Sequence, residues 1–263
     1  MLKKAERHER ILLELKARPT VRISELAEEF GVTTETVRRD VDEMSRKGLV
    51  DRTYGGAAVT PLGSEPTYDV RERVFRDERT RIAKYALSMV KFDEVLMVDA
   101  GSTTTEFASQ LAASISDNSP EKITVITNSI SVARALGASK SIRTVLCPGD
   151  YTNHDAAVSG PATLAYLRQF HANAAIIGAG GVTTEGITDV SSGGCWVKRT
   201  MLERADRLIL LADRRKFGVN QTEVVCGLDQ IDDLVTDQEP SQDLSNTLVS
   251  ANVRVSVVGD PAP

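Results

Sequence analysis

At 263 residues, with 41% hydrophobic and 26% charged side chains, the chain has ordinary globular composition and the length of one large or two modest domains, which excludes a disordered or fibrous protein. Its apolar runs, such as Leu208 to Ala212, are too short to cross a bilayer, and the charged start Met1-Leu2-Lys3-Lys4-Ala5-Glu6 lacks the apolar core of a signal peptide. The net charge of −5 is uneven: residues 1–60 carry 12 Lys and Arg against 11 Asp and Glu, the remainder 20 against 26, so neither part is basic enough for charge alone to specify a polyanionic partner.

Ile11, Leu12 and Leu15 form the apolar stripe of a first helix that Pro19 is expected to end. Ile23, Leu26, Ala27 and Phe30 recur at i, i+3, i+4 and i+7, a second helix with Ser24 at its start and Gly31 as its left-handed stop. Val32 and Thr33 alone separate Gly31 from a third helix, with Thr33 as its N-cap and Val37, Val41 and Met44 as its core face. Two short helices joined by a tight glycine turn make a helix-turn-helix. Taking Val37 as the inward direction at roughly 100° per residue, Glu35, Arg38, Arg39 and Asp42 lie on the outward face, while Thr34 and Thr36 occupy the first turn.

A charged helix face standing alone reads as solvated surface, but this helix runs straight into a hairpin. Leu49 to Tyr54 reads as a strand, Gly55-Gly56 as a turn and Ala57 to Val59 as the returning strand, a wing directly after the third helix. Double-stranded DNA is therefore the expected partner. Arg38 and Arg39 can take guanine or phosphate, Ser24, Thr33, Thr34 and Thr36 supply hydroxyls, and Arg52 on the wing meets the phosphate backbone. Asp40 points partly inward and reads as structural, holding an arginine.

Glu25-Leu26-Ala27, Gly31-Val32, Thr36-Val37-Arg38-Arg39-Asp40-Val41, Gly48-Leu49 and Tyr54-Gly55-Gly56-Ala57 resemble the DeoR family of winged-helix regulators. The domain organisation read from the sequence is a winged helix-turn-helix at 1–60, a Pro/Gly-rich linker at 61–76, an α/β domain at 77–239 and a C-terminal extension at 240–263 with room for one extra strand.

The second domain opens with a helix over about Asp77–Val90, with Ile82, Ala86 and Met89 inward. Apolar strands are expected at Val95–Val98, Ile123–Ile126, Thr144–Leu146, Ala174–Ile177, Leu208–Leu211 and Val224–Cys226, alternating with helical segments, the pattern of a mostly parallel sheet covered on both faces. Ligands of such sheets bind beyond the carboxyl ends of the strands. Those ends carry Asp99, Gly101, Ser102, Thr103 and Thr104; Thr127 and Asn128; Gly180 within Gly178-Ala179-Gly180-Gly181; and Asp213 with Lys216, while Lys198 stands in Trp196-Val197-Lys198-Arg199. Glycine and hydroxyls at a helix start suit a phosphate, the lysines add charge, and the carboxylates suit sugar hydroxyls. Each motif alone also reads as capping or a surface ion pair.

In order, Asp99-Ala100-Gly101-Ser102-Thr103, Thr127-Asn128, Val197-Lys198-Arg199, Asp213-x-x-Lys216-Phe217-Gly218 and Asp233 to Asp237 resemble the DeoR-family sensor domain, similar in fold to ribose-5-phosphate isomerase. The resemblance implies a cytoplasmic, homo-oligomeric (dimeric or tetrameric) transcriptional regulator, a repressor of a carbohydrate operon whose DNA binding responds to a phosphorylated sugar, and not an enzyme. The rival is a sugar-phosphate isomerase with an appended DNA-binding domain, using Asp99, Asp213 and Lys198 for acid–base work. Cys147, Cys195 and Cys226 are odd in number, widely spaced and without a Cys-x-x-Cys pair, so they read as small core hydrophobes; no metal or other cofactor is expected.

Overall fold

The computed structural model describes residues 2–18, 20–46, 50–53, 55–58, 65–73, 75–116 and 122–259, divided into two units, Met1–Pro66 and Thr67–Pro263. Pro19, Gly48, Leu49, Tyr54, Val59 and residues 60–64, read above as a helix stop, wing residues and linker, lie outside the described residues.

The first unit runs α1 (Lys4–Ala17), β1 (Thr20–Arg22), α2 (Ile23–Phe30), α3 (Thr34–Arg46), β2 (Asp51–Thr53) and β3 (Gly56–Ala58). Ile11, Leu15, Leu26, Phe30, Val37, Val41 and Met44 form one core, as the helical spacing requires. Gly31 ends α2 in the left-handed region (φ 63°), and the Thr33 hydroxyl accepts from the Thr36 N–H at 3.2 Å, capping α3. Two expectations change. Ser24 is the second residue of α2, whose N-cap is Arg22 without a side-chain cap bond. The wing is not a simple hairpin: β1, absent from the sequence reading because three residues before a helix carry no readable alternation, makes the sheet order β1-β3-β2 with antiparallel pairing throughout. A Cβ at Gly56 would stand 2.1 Å from the Val21 carbonyl oxygen, so only glycine lets β3 lie against β1.

The second unit continues with α4 (Tyr68–Arg73), inside the segment read as linker, then α5 (Arg76–Leu87), β4 (Val95–Val98), α6 (Ser102–Ser114), β5 (Ile123–Thr127), α7 (Ile130–Leu136) and β6 (Ile142–Leu146). A hairpin of β7 (Asp150–Thr152) and β8 (Ala157–Ser159) leads to α8 (Pro161–Leu167) and β9 (Ala174–Ile177). The chain closes with β10 (Gly181–Thr183), β11 (Gly186–Asp189), α9 (Ser192–Glu203), β12 (Leu208–Leu211), β13 (Glu223–Cys226), β14 (Asp233–Thr236), α10 (Gln242–Ser250) and β15 (Arg254–Val257).

Seven strands form one wholly parallel sheet in the order β15-β14-β12-β9-β4-β5-β6. Alternate strand residues serve opposite faces: Leu96, Val98, Ala174, Ile176, Ile209 and Leu211 pack with Ile82, Phe107 and Val132 of α5, α6 and α7. Met97, Ala175, Ile177, Leu208 and Leu210 pack with Leu167, Val197, Met201 and Leu244 of α8, α9 and α10. Burial on both faces is why these strands read as unbroken apolar runs. The strand expected at Val224–Cys226 exists, as β13, but belongs to a separate antiparallel sheet, β10-β11-β13. The cysteines are all buried. No described helix is long and apolar enough to cross a membrane.

Candidate functional site

On α3, Val37 and Val41 are fully buried and Arg38, Arg39, Thr34 and Glu35 are exposed, so the helix presents the face expected of a reading helix. Glu35 holds both arginines, with Oε2 at 3.3 Å from Arg38 Nη1 and Oε1 at 3.4 Å from Arg39 Nε. Arg52 on β2 reaches back to Asp42 of α3 (Nε–Oδ1 3.0 Å), tying wing to helix. Thr33 and Thr36 share a hydroxyl hydrogen bond at 2.9 Å in the cap, and Ser24 is exposed on α2. Asp40 is buried and takes Arg7 through two hydrogen bonds (2.6 and 3.1 Å) with His8 at 3.3 Å, which bolts α1 to α3 and gives it the structural role its inward position suggested.

In the second unit the chain places β4 first, adds β5 and β6 on one side, then returns to lay β9 and β12 on the other. The order therefore reverses between β4 and β9, and the crevice beyond their carboxyl ends is where a doubly wound sheet binds its ligand. Asp99 and the Gly101 turn follow β4, and Gly178 to Gly181 follow β9, so two of the expected motifs flank that crevice.

Lys198, on the inward face of α9, is 5% exposed and joins two carboxylates: Asp99 Oδ2 at 2.7 Å and Asp189 Oδ2 at 2.9 Å. Burial works to lower its pKa, but the two anions outweigh it and hold the ammonium above the ordinary lysine value. Burial raises Asp99 despite Lys198. For Asp189, burial is overcome by Lys198, the Val190 N–H and Lys216, leaving it below the usual value. Asp189 was missed in the sequence; its signal was a carboxylate ending a strand just before a Ser-Ser-Gly-Gly helix start, much as Asp99 follows β4 just before Gly101-Ser102.

Asp213 follows β12 and receives Arg215 through two side-chain hydrogen bonds, 2.8 and 2.7 Å. Burial opposes its charge, but Arg215 and Lys216 keep its pKa low. The Arg215 guanidinium lies 3.5 Å over the Phe75 ring, bringing the first turn of α5 to this end of the sheet. There stands Arg79, 3% exposed, donating to the Arg71 carbonyl oxygen. Burial first, then Arg215 and Arg71, push its pKa down to about 10, with Asp213 opposing. Arg71 in turn holds Asp155 at 3.2 Å. Sequence reasoning missed Arg79, although its signal was present: Arg79, Ile82, Ala83 and Ala86 stand at i, i+3, i+4 and i+7, a guanidinium on an otherwise apolar stripe.

The hydroxyl turn is more committed than its sequence suggested. Thr104 and Thr105 both donate to the Gly101 carbonyl oxygen (3.0 and 2.7 Å), leaving Ser102 and Thr103, both partly exposed, as the turn's open hydroxyls. Thr127 Oγ1 accepts from the Ser129 N–H. Buried Asn128 donates Nδ2 to the Val158 carbonyl oxygen, while its Oδ1 and the hydroxyl of buried Tyr68 have no hydrogen-bond partner among the described residues. Gly180 donates its N–H to Thr188, and an added Cβ would meet Asp189 and Gln221 at 3.1 Å. Lys216 is half-buried near Asp189 and Asp213.

Residues 7–61 match the DeoR-like helix-turn-helix domain and residues 75–238 the DeoR C-terminal sensor domain. The glycerol-3-phosphate regulon repressor of Escherichia coli K12 is 26% identical over 97% of this chain and 100% of its own length. The HTH-type transcriptional regulator IolR of Bacillus subtilis is 29% identical over 83% of this chain and 85% of the relative. The transcriptional repressor AccR of Agrobacterium fabrum is 30% identical over 88% and 89%. A solved ribose 5-phosphate isomerase A from Methanocaldococcus jannaschii shares 20% identity over 54% of each chain at a TM-score of 0.40, a likeness too distant to bear on activity.

Proposed function

We propose that the chain, which belongs to the DeoR family of DNA-binding transcriptional regulators, is a cytoplasmic repressor of a carbohydrate-use operon whose operator affinity changes when a phosphorylated sugar binds at the β4–β9 crevice. The observation that carries the effector is buried Arg79 with Arg215 and Arg71 beside it at that end of the sheet. Guanidinium groups gathered out of water favour a phosphate beyond the Asp213 and Asp155 carboxylates that already pair with Arg215 and Arg71. Lys198, already enclosed by two carboxylates, is poorly placed to be that anion's main partner, so phosphate is assigned to Arg79, Arg215 and Lys216 with the Gly101-Ser102-Thr103 turn, which Thr104 holds through the Gly101 carbonyl. The polyol is assigned to Asp99, Asp189, Asp213 and Asn128, whose orphaned Oδ1 awaits a donor, with Thr127 and Gly180 lining the crevice.

Isothermal calorimetry against a panel of sugar phosphates and their unphosphorylated parents tests the reading. One phosphorylated sugar is expected to bind, and its parent far more weakly; equal affinities would overturn the phosphate assignment. Gly101 has an extended backbone (φ 167°), and a Cβ there would meet only Thr104 Oγ1, at 3.2 Å. Gly101→Val is therefore expected to fold and to bind operator while losing its response to the effector. Retained induction would remove the turn from the site. The isomerase alternative is the weaker reading because both family models that match the chain are those of a transcriptional regulator. Turnover of pentose or hexose phosphates by the pure protein would reinstate it.

For DNA, the assigned contacts are Ser24, Thr33, Thr34, Thr36, Arg38, Arg39 and Arg52. Arg38→Ala or Arg39→Ala is expected to cost ~1–3 kcal/mol at particular operator positions, since a bidentate base contact is lost. Arg52→Ala is expected to weaken all sequences alike and to flatten the salt dependence, as loss of one phosphate contact does. Fluorescence anisotropy across operator variants and salt decides; unchanged binding in both helix variants would take the reading role from α3. Helix-turn-helix proteins commonly engage paired half-sites as dimers, so the protein is proposed to be a homo-oligomer.

A further inference from the structure

α9 has two working faces. Lys198 points into the carboxylate pair, while Trp196 and Arg199, three residues apart on the other side, face outward. Trp196 is the chain's sole tryptophan and is 52% exposed, with the Arg199 guanidinium 4.8 Å from its ring centre. Beside it Val224 of β13 is 56% exposed, and Arg199 donates to the Val224 carbonyl oxygen. Glu223 of β13 accepts from the Ser192 hydroxyl through one carboxylate oxygen, while the other lies 3.9 Å from Arg199, beyond hydrogen-bonding range. An indole stacked by an arginine and flanked by an exposed aliphatic side chain, with a charge of each sign alongside, has the composition of an interface centre rather than of a solvated face.

We propose that this α9–β13 surface is where a second copy of the chain docks about a two-fold axis. The proposal rests on the homo-oligomeric regulator reading above. A symmetric interface must be complementary to itself, and this patch is: one copy's Arg199 can meet the other's Glu223, and each Glu223 the other's Arg199, around a centre of Trp196 and Val224. Arg199 already covers the Val224 carbonyl, so the copies meet through side chains rather than by extending the β10-β11-β13 sheet. Because α9 carries Lys198 on its opposite face, any shift of the triad on effector binding is transmitted by one rigid helix to the contact between copies.

Sedimentation of the full-length protein tests this. The wild type is expected to dimerise, with Trp196 emission shifting to the red on dilution as the indole becomes wet. Trp196→Ala and Val224→Asp, both at exposed positions, are expected to raise the dimer dissociation constant roughly thirtyfold or more with an unchanged helical signal. Arg199→Glu and Glu223→Arg are each expected to dissociate, yet to associate when mixed, because both intermolecular pairs are restored only between the two variants while each variant's own pair stays broken. Dimers of wild-type affinity in Trp196→Ala and Val224→Asp would overturn the surface but leave the oligomeric reading standing. Variants that dissociate and fail to associate on mixing would overturn the two-fold pairing. A wild type monomeric at every concentration would overturn the surface and the oligomeric reading together.

Discussion

Arg79→Met is expected to abolish the response to a phosphorylated sugar while leaving the protein folded and able to bind operator. Arg79 is buried near Arg215 and Arg71, and its lowered pKa reflects burial first and repulsion by those neighbours second. Removing its charge relieves that repulsion but gives up its hydrogen bond to the Arg71 carbonyl, worth about 1 kcal/mol, and the attraction of Asp213. With the anion present, the same change removes a desolvated charge-assisted contact, and losses of ~2–5 kcal/mol are typical when one partner of such a pair is truncated. Effector affinity should therefore fall by between roughly thirtyfold and several thousandfold. Thermal denaturation with and without ligand, paired with calorimetry, separates the two effects. A variant that is strongly destabilised without ligand, or that binds the sugar phosphate as the wild type does, would show that Arg79 serves the fold alone.

Lys198→Met is expected to act in the opposite way, through stability. It strips the ammonium from two buried carboxylates, and breaking a buried pair by removing one partner typically costs ~3–5 kcal/mol. The pH dependence depends on the signs of the shifts. In the wild type Asp189 lies below its usual value because of Lys198, so its contribution is present at neutral pH and is lost as acid protonates it. In the variant both carboxylates, buried and without their cation, lie above the unfolded value of about 3.9, so the folded state is weakened as pH rises through those raised values. The deficit relative to wild type is therefore greatest near neutrality and narrows toward acid. Urea unfolding at about pH 7 and about pH 5 should show it; a loss of equal size at both would mean that the carboxylates do not carry the effect.

The parallel sheet was legible because strands buried on both faces are continuous apolar runs: β4, β9 and β12 fall where the runs were read. Helix α5 and the α2–α3 turn were legible through periodicity and Gly31. What escaped has physical reasons. β1 is three residues long with one buried position, too short to show a period. β13 looks like a sheet strand by composition, but its partner β11 is an antiparallel neighbour that only tertiary structure reveals. The candidate site was half legible. Asp99, Lys198 and Asp213 could be found as residues following or flanking strands, yet that Lys198 faces two carboxylates, one of them Asp189, depends on how β11 folds under α9. Arg71 and Arg79 lie more than a hundred residues before Arg215 in a helix-rich, highly charged stretch, and charge in such a stretch normally means solvent.

The C-terminal extension gains a role from where β15 lies. It pairs in parallel along all of β14, and Arg254 holds Asp233 at 2.9 Å. Without it, β14, whose four residues are all buried, would become the sheet's last strand and present a row of unsatisfied amides beside apolar side chains. β15 is by contrast partly exposed and carries an arginine at its start. Residues 242–257 thus act as a selvedge: they keep the regulator's sheet from offering a growing edge to other chains, and a frameshift or proteolytic cut that removed them would be felt first as loss of soluble protein rather than as loss of DNA or sugar recognition.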